Sequence, residues 1–221
     1  SKRFVRHPEL IDMLLREDQV RLEKGKEDFR REAEDRLAQV DPSLPVDDLL
    51  ERQLGELRRC KNEEVLRIAI HDIAGTIDIA SVSIQLTDLA EACLDRCLAL
   101  AEHEARAKGI APPARLCVIG MGKLGGRELG YHSDLDLVFV YPGSATAGHE
   151  RYPRLAQRLM SFLQMPLREG RLFQIDTRLR PSGNQGALVI GSEAFIRYHA
   201  GQVGGAAGVQ SHLWERQALL R

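Results

Sequence analysis

The sequence predicts an α+β protein, a helical N-terminal layer packed on a region with a mixed sheet. Three observations carry that expectation. Apolar residues recur at three- and four-residue spacing as far as Lys108, the period of helices that bury one stripe. The stretch Gly109-Ile-Ala-Pro-Pro-Ala114 then interrupts the chain with residues that break helices. Beyond it, Arg115–Ile119 and Asp134–Tyr141 read as short buried strands. The expected division is residues 1–109 and 110–221.

Taken in order, Leu10, Ile11, Leu14 and Leu15 behind Pro8 start a first helix. From Arg21 to Arg36 basic and acidic residues alternate with i,i+4 pairs, the pattern of a solvated helix face. Pro42 and Pro45 end that run, and Leu49, Leu50, Leu54 and Leu57 predict a helix from about Asp47 to Arg59. Asn62 then reads as the N-cap of a separate helix, with Glu63 and Glu64 in its first turn and Gly75 as its left-handed stop. Leu86, Leu89, Ala90, Cys93, Leu94, Cys97, Leu98 and Ala101 predict another over Ser83–Lys108. After the two strands come a helix over Tyr152–Phe162, strands over Arg171–Arg178 and Ala187–Ile190, and a helix over Glu193–His199. The glycine-rich stretch 201–208 is expected to be flexible, and no internal repeat is found.

Composition narrows the function classes. With 31 Lys and Arg against 32 Asp and Glu, the net charge of -1 removes the broad attraction that non-specific nucleic-acid binding uses. No apolar run reaches the roughly 18 residues of a membrane span, and no secretory h-region opens the chain. Cys60, Cys93, Cys97 and Cys117 form no CxxC pair and are expected as buried, reduced thiols, which places the chain in the cytoplasm. Ser1 at the start and a helical pattern at the last residue lead us to expect a piece of a longer chain.

Chemistry concentrates in the second region. Gly120, Gly122 and Gly125 spell GxGxxG after a strand, yet no crossover helix fits before Asp134, and no acid stands about 20 positions on. A Walker loop fails as well, because Gly125 is followed by Gly126 and Arg127. What remains is a tight glycine-lined turn that can approach a phosphate. Asp134 and Asp136, two residues apart on a strand, project from one face roughly 6 to 7 Å apart along the chain, with Leu135 and Leu137 opposite. Two carboxylates at about 6.5 Å repel by about 2.5 kcal/mol at an effective dielectric near 20, so either the edge is solvated or a divalent cation sits there. Asp176 and Arg178 add an acid and a base on one face downstream, read either as a surface ion pair or as the acid and guanidinium of a phosphoryl-transfer site. His132, beside the carboxylates, is read as a surface loop residue, His71 and His103 as structural, and Trp214 as a packing anchor.

The strings Gly122-Lys-Leu-Gly-Gly-Arg-Glu-Leu129, Ser133-Asp134-Leu-Asp136-Leu and Asp176-Thr-Arg-Leu-Arg-Pro-Ser-Gly183 together resemble the glutamine synthetase adenylyltransferases. These are bifunctional adenylyl transferase/adenylyl-removing enzymes, whose halves each carry a DNA-polymerase-β-like nucleotidyltransferase domain. Arg6–Leu10, Asn62–Ile68 and Trp214–Leu220 extend the likeness over most of the chain. The resemblance implies magnesium-dependent transfer of AMP from ATP to a tyrosine hydroxyl of glutamine synthetase, which lowers nitrogen assimilation. It makes residues 110–221 the nucleotidyltransferase domain. It makes Asp134, Asp136 and Asp176 the catalytic acids and metal ligands, and puts Gly125, Gly126, Ser133, Lys123, Arg178 and Arg180 at the nucleotide phosphates. Glutamine and the PII signal protein would regulate the full-length enzyme, and neither nucleic acid nor membrane is an expected partner. The form Arg178-Leu-Arg180-Pro-Ser182-Gly looks more like the C-terminal, adenylylating half than the removing half. Two rivals are a docking module that keeps the nucleotide pocket, against which the intact acids argue, and a nicotinamide oxidoreductase resting on GxGxxG alone.

Overall fold

The computed structural model describes residues 23–143 and 148–200, so the expected helix behind Pro8, the stretch 201–208 and Trp214 lie outside the described residues. Among the described residues six helices and a mixed four-stranded sheet make an α+β fold. The chain divides into two compact units between Cys93 and Leu94.

In the first unit, α1 (Lys26–Ala38) opens with Asp28 reaching back to accept the Gly25 N–H at 3.1 Å. The charged run is not simply solvated. Lys24 Nζ lies 2.7 Å from both Glu32 and Glu64, and Arg36 pairs with Glu63, so these charges tie α1 to the next helix. That helix, α2 (Val46–Ile73), is continuous where two were expected, and Asn62 lies in its interior rather than at a cap. Its buried stripe runs Leu54, Leu57, Arg58, Cys60, Glu64, Arg67 and Ile68. The polar members of that stripe hide its continuity from an apolar count. Gly75, at φ +67°, ends α2 as expected, and the Thr76 N–H bonds the His71 carbonyl at 3.0 Å.

Helix α3 (Ile79–Ala107) begins four residues before the expected Ser83, where the Asp78 carboxylate accepts the Ser81 N–H at 2.7 Å. The division between the units falls inside this helix. Gly109, at φ +67°, closes it, with the Ile110 N–H on the Ala105 carbonyl.

The second unit holds the sheet. Strands β1 (Cys117–Met121) and β2 (Leu135–Tyr141) are antiparallel, with Met121 opposite Asp136. A dinucleotide-binding βαβ unit needs parallel strands, so the GxGxxG spelling lacks its structural context here. Along its other edge β2 pairs in parallel first with β3 (Ile175–Asp176), then with β4 (Val189–Gly191). The strand expected over Arg171–Arg178 shrinks to these two residues, because beyond Asp176 the chain turns through Thr177–Gly186. Helix α5 (Arg151–Gln164) buries Tyr152, Leu155, Ala156, Leu159, Phe162 and Leu163. Tyr152 stacks on Tyr141 at 4.8 Å, so α5 covers the face of β2 that also carries Leu135, Leu137 and Phe139. The opposite face carries Asp136, then buried Val138 and Val140, which pack with Met121 and the partly buried Leu179 and Phe195. Phe195 belongs to α6 (Ser192–His199). The short helical turn α4 (Gly122–Gly125) joins β1 to the loop before β2.

Cys60, Cys93 and Cys97 are buried, but Cys117, expected inside, is exposed at the start of β1. Among the described residues no helix is long and apolar enough to cross a membrane.

Candidate functional site

The site is built by β2 and its two neighbours. Asp136 is the first residue of β2 to turn away from the α5 side, and its carboxylate is half-buried. Directly paired residues of adjacent strands project to the same face, so the register Asp136↔Asp176 sets these two carboxylates side by side. Asp134, exposed and one residue ahead of the strand, supplies a third acid in the same alternation.

Electrostatics report the crowding. Burial, then the charges of Asp176 and Asp134, push the Asp136 carboxyl above the usual aspartate range, while Arg178 and Lys123 pull it back. Asp176 goes the other way, held low by the hydrogen bond from the Arg178 side chain. Arg178 gives that carboxylate three donors: its N–H reaches Oδ1 at 2.8 Å, Nε reaches Oδ2 at 2.7 Å, and Nη2 also pairs with Oδ2.

The turn after β1 closes over the acids. Gly122 has φ +54°, and a Cβ built there would lie 2.6 Å from Asp136 Oδ2. Only glycine lets this backbone adopt that conformation and approach the carboxylate so closely. Gly125 is needed for a different contact, since its Cβ would lie 2.7 Å from the Gly120 carbonyl. Gly126 caps α4, and the two bonds Glu128 N–H to Lys123 O and Arg127 N–H to Leu124 O complete a Schellman stop. Arg127 fills the left-handed position of that stop at φ +57°.

The remaining predicted residues are placed as follows. Lys123 is exposed on α4, close enough to act on the Asp136 charge. Ser133 Oγ accepts the Gly130 N–H at 3.0 Å and shapes the turn leading to Asp134. Arg180 is buried, and its guanidinium is turned to the Thr177 carbonyl and hydroxyl at 2.7 and 2.8 Å and to the Gly186 carbonyl. His132 is exposed. The structure thus brings Asp134, Asp176, Arg178 and Lys123 within electrostatic reach of the Asp136 carboxylate, and sends the donors of Arg180 inward. Sequence reasoning named Gly122 only as part of the glycine-lined turn and gave it no site role; its contact with Asp136 emerges once β1 and β2 are paired.

The donor set suits a hard divalent cation: three carboxylates, oxygen donors only, with a mutual repulsion at Asp136 that a cation would relieve. Among the described residues no three or more His, Cys, Asp or Glu side chains are drawn together as a metal site. Asp134 and Asp136 are the residues that would hold such an ion, with Asp176 the third acid beside them.

Comparison with known proteins bears on this geometry. A family model described as glutamate-ammonia ligase adenylyltransferase matches residues 1–221. The chain is similar to the bifunctional glutamine synthetase adenylyltransferase/adenylyl-removing enzyme of Ralstonia nicotianae, 37% identical over 218 residues. Those of Burkholderia mallei and Burkholderia pseudomallei are each 36% identical over 218 residues. In each case the match covers 99% of this chain and 22% of the relative, so the chain spans about a fifth of the length of these curated relatives.

Proposed function

The chain belongs to the glutamate-ammonia ligase adenylyltransferase family, and on that premise we propose that it is a catalytic nucleotidyltransferase module, DNA-polymerase-β-like in fold, acting on glutamine synthetase. The observation that carries the reading is the register pairing Asp136 with Asp176, with Asp134 two residues before and the Gly122 turn pressed onto the same carboxylate. In the proposed reaction a tyrosine hydroxyl of glutamine synthetase attacks the α-phosphorus of ATP. The new O–P bond forms as the bond to the bridging oxygen breaks, and pyrophosphate leaves with the electron pair.

The residues divide the work. Asp134 and Asp136 would hold magnesium, which supplies charge neutralisation at the phosphates when bound. Asp176 is the carboxylate placed to accept the hydroxyl proton. Lys123 and Arg178 supply positive charge for the phosphates, and the turn of Gly125 and Gly126 shapes the wall that faces them, with Ser133 fixing the approach to Asp134. Glutamine and PII protein are the proposed regulators of the longer enzyme, and the proposed compartment is the cytoplasm. The direction, adenylylation rather than removal, is read from the Arg178-Leu-Arg180-Pro-Ser182-Gly segment. The relatives' names carry both activities, so the reverse direction is the second reading.

Incubation with glutamine synthetase, labelled ATP and magnesium tests this, with Asp134→Asn/Asp136→Asn as control. Label entering the protein only with intact carboxylates is the expected result. ADP released solely from pre-adenylylated substrate and phosphate would establish the removing direction, and silence in both would point to a piece that needs the rest of a longer enzyme or to a docking module.

A further inference from the structure

We propose that Arg178 serves two anions in turn: it holds the Asp176 carboxylate until nucleotide arrives, then exchanges it for a phosphate oxygen, freeing Asp176 for the divalent cation and the reacting hydroxyl. The inference rests on the nucleotidyltransferase reading above and adds a coupling between nucleotide entry and completion of the acid cluster.

Three observations and one general property of the guanidinium group carry it. The contact is saturating from one side, since a single residue donates its N–H to Oδ1 and two guanidinium nitrogens to Oδ2. A carboxylate gripped this way cannot turn Oδ2 to a cation unless the guanidinium leaves. The two partners are unequally anchored: Asp176 is fixed in the sheet opposite Asp136, with its side chain 16% exposed, while that of Arg178 is 73% exposed beyond the strand's end. The guanidinium end lies in solvent, so it can leave the carboxylate for another anion without uncovering any core. Arg180, the other arginine of the segment, is buried and committed to Thr177 and Gly186. Finally, a planar guanidinium matches two phosphate oxygens, so the exchange replaces a single carboxylate oxygen, which takes both guanidinium nitrogens here, with a partner of higher charge.

Binding of Mn2+ to the full chain, followed by electron paramagnetic resonance of the free ion without nucleotide, tests the first half. Arg178→Ala and Arg178→Lys should each bind Mn2+ more tightly than wild type, by roughly two- to fivefold, the scale of an exposed ion pair. The lysine variant keeps the charge and loses the fork, so it separates release of Asp176 from a general drop in positive potential. The second half is read from ATP binding in saturating Mn2+, which both variants should weaken by on the order of tenfold, the scale of a charge-assisted hydrogen bond. Mn2+ affinity unchanged or lowered in Arg178→Ala, a lysine variant identical to wild type, or unchanged ATP binding would each overturn the exchange. Mn2+ binding that is absent from wild type, or indifferent to Asp136→Asn, would overturn the carboxylate site itself and the exchange with it.

Discussion

Gly122 shows how one missing methyl group supports the proposed reactive centre. Its φ of +54° costs any L-residue about 1 kcal/mol, and the same penalty applies to Gly75 at φ +67°. The surroundings differ. Nothing lies within 4 Å of a Cβ at Gly75, whereas at Gly122 the Cβ meets the end of the Asp136 side chain at 2.6 Å. A carboxylate can rotate away, so the clash costs little stability and instead moves the acid. Gly75→Ala and Gly122→Ala should therefore lower stability by a similar amount, about 1 kcal/mol each, read from urea unfolding. Only Gly122→Ala should lose adenylyl transfer, by roughly 10- to 100-fold, the scale of a misplaced catalytic group. Equal activity in the two variants would show that Asp136 tolerates displacement.

The helices teach a different lesson, because their energetics sit in charges that an apolar count passes over. Glu64, 3% exposed, accepts from Lys24 at 2.7 Å and from Arg67 at 2.7 Å, and Arg67 also reaches Gln85. Removing that carboxylate leaves the Arg67 guanidinium, 2% exposed, short of its countercharge. Glu64→Ala should therefore cost about 3 to 5 kcal/mol in denaturant unfolding, against under about 1 kcal/mol for Arg31→Ala in the exposed pair with Asp28. The same charges explain what the sequence concealed. The periodic stripe of α2 looked broken near Arg59 because Arg58, Glu64 and Arg67 occupy inward positions, and a buried charge is indistinguishable from a solvated one until its partner on another helix is known. The Gly75 and Gly109 stops were legible, since left-handed closure is a local requirement. The strand expected over Asp134–Tyr141 was legible too, although it begins at Leu135 and leaves Asp134 one residue ahead of it. The Asp136–Asp176 register was not, because 40 residues separate them and only the sheet brings them together.

Across the whole chain, two boundaries compete to define the smallest piece that carries the proposed nucleotidyltransferase module. The sequence points to Gly109–Ala114 as the boundary, while the compact units divide between Cys93 and Leu94, inside α3. The residues between those positions contribute to the second unit in two ways. Ala101 and Ala105 are buried. Glu104 takes a bidentate contact from Arg158 of α5, at 2.6 and 2.8 Å, and Arg158 itself lies 4.5 Å over the Phe162 ring. A chain begun at Ile110 would lose Glu104, the partner of Arg158, together with the buried Ala101 and Ala105, whereas one begun at Leu94 would keep all three. The longer piece should unfold cooperatively and bind ATP with Mn2+. The shorter should be less stable by more than about 3 kcal/mol, the combined scale of a lost bidentate pair and uncovered core surface. Circular dichroism melting of the two pieces decides it: matching midpoints would show that α3 contributes nothing to the catalytic unit and that the proline boundary is the true one.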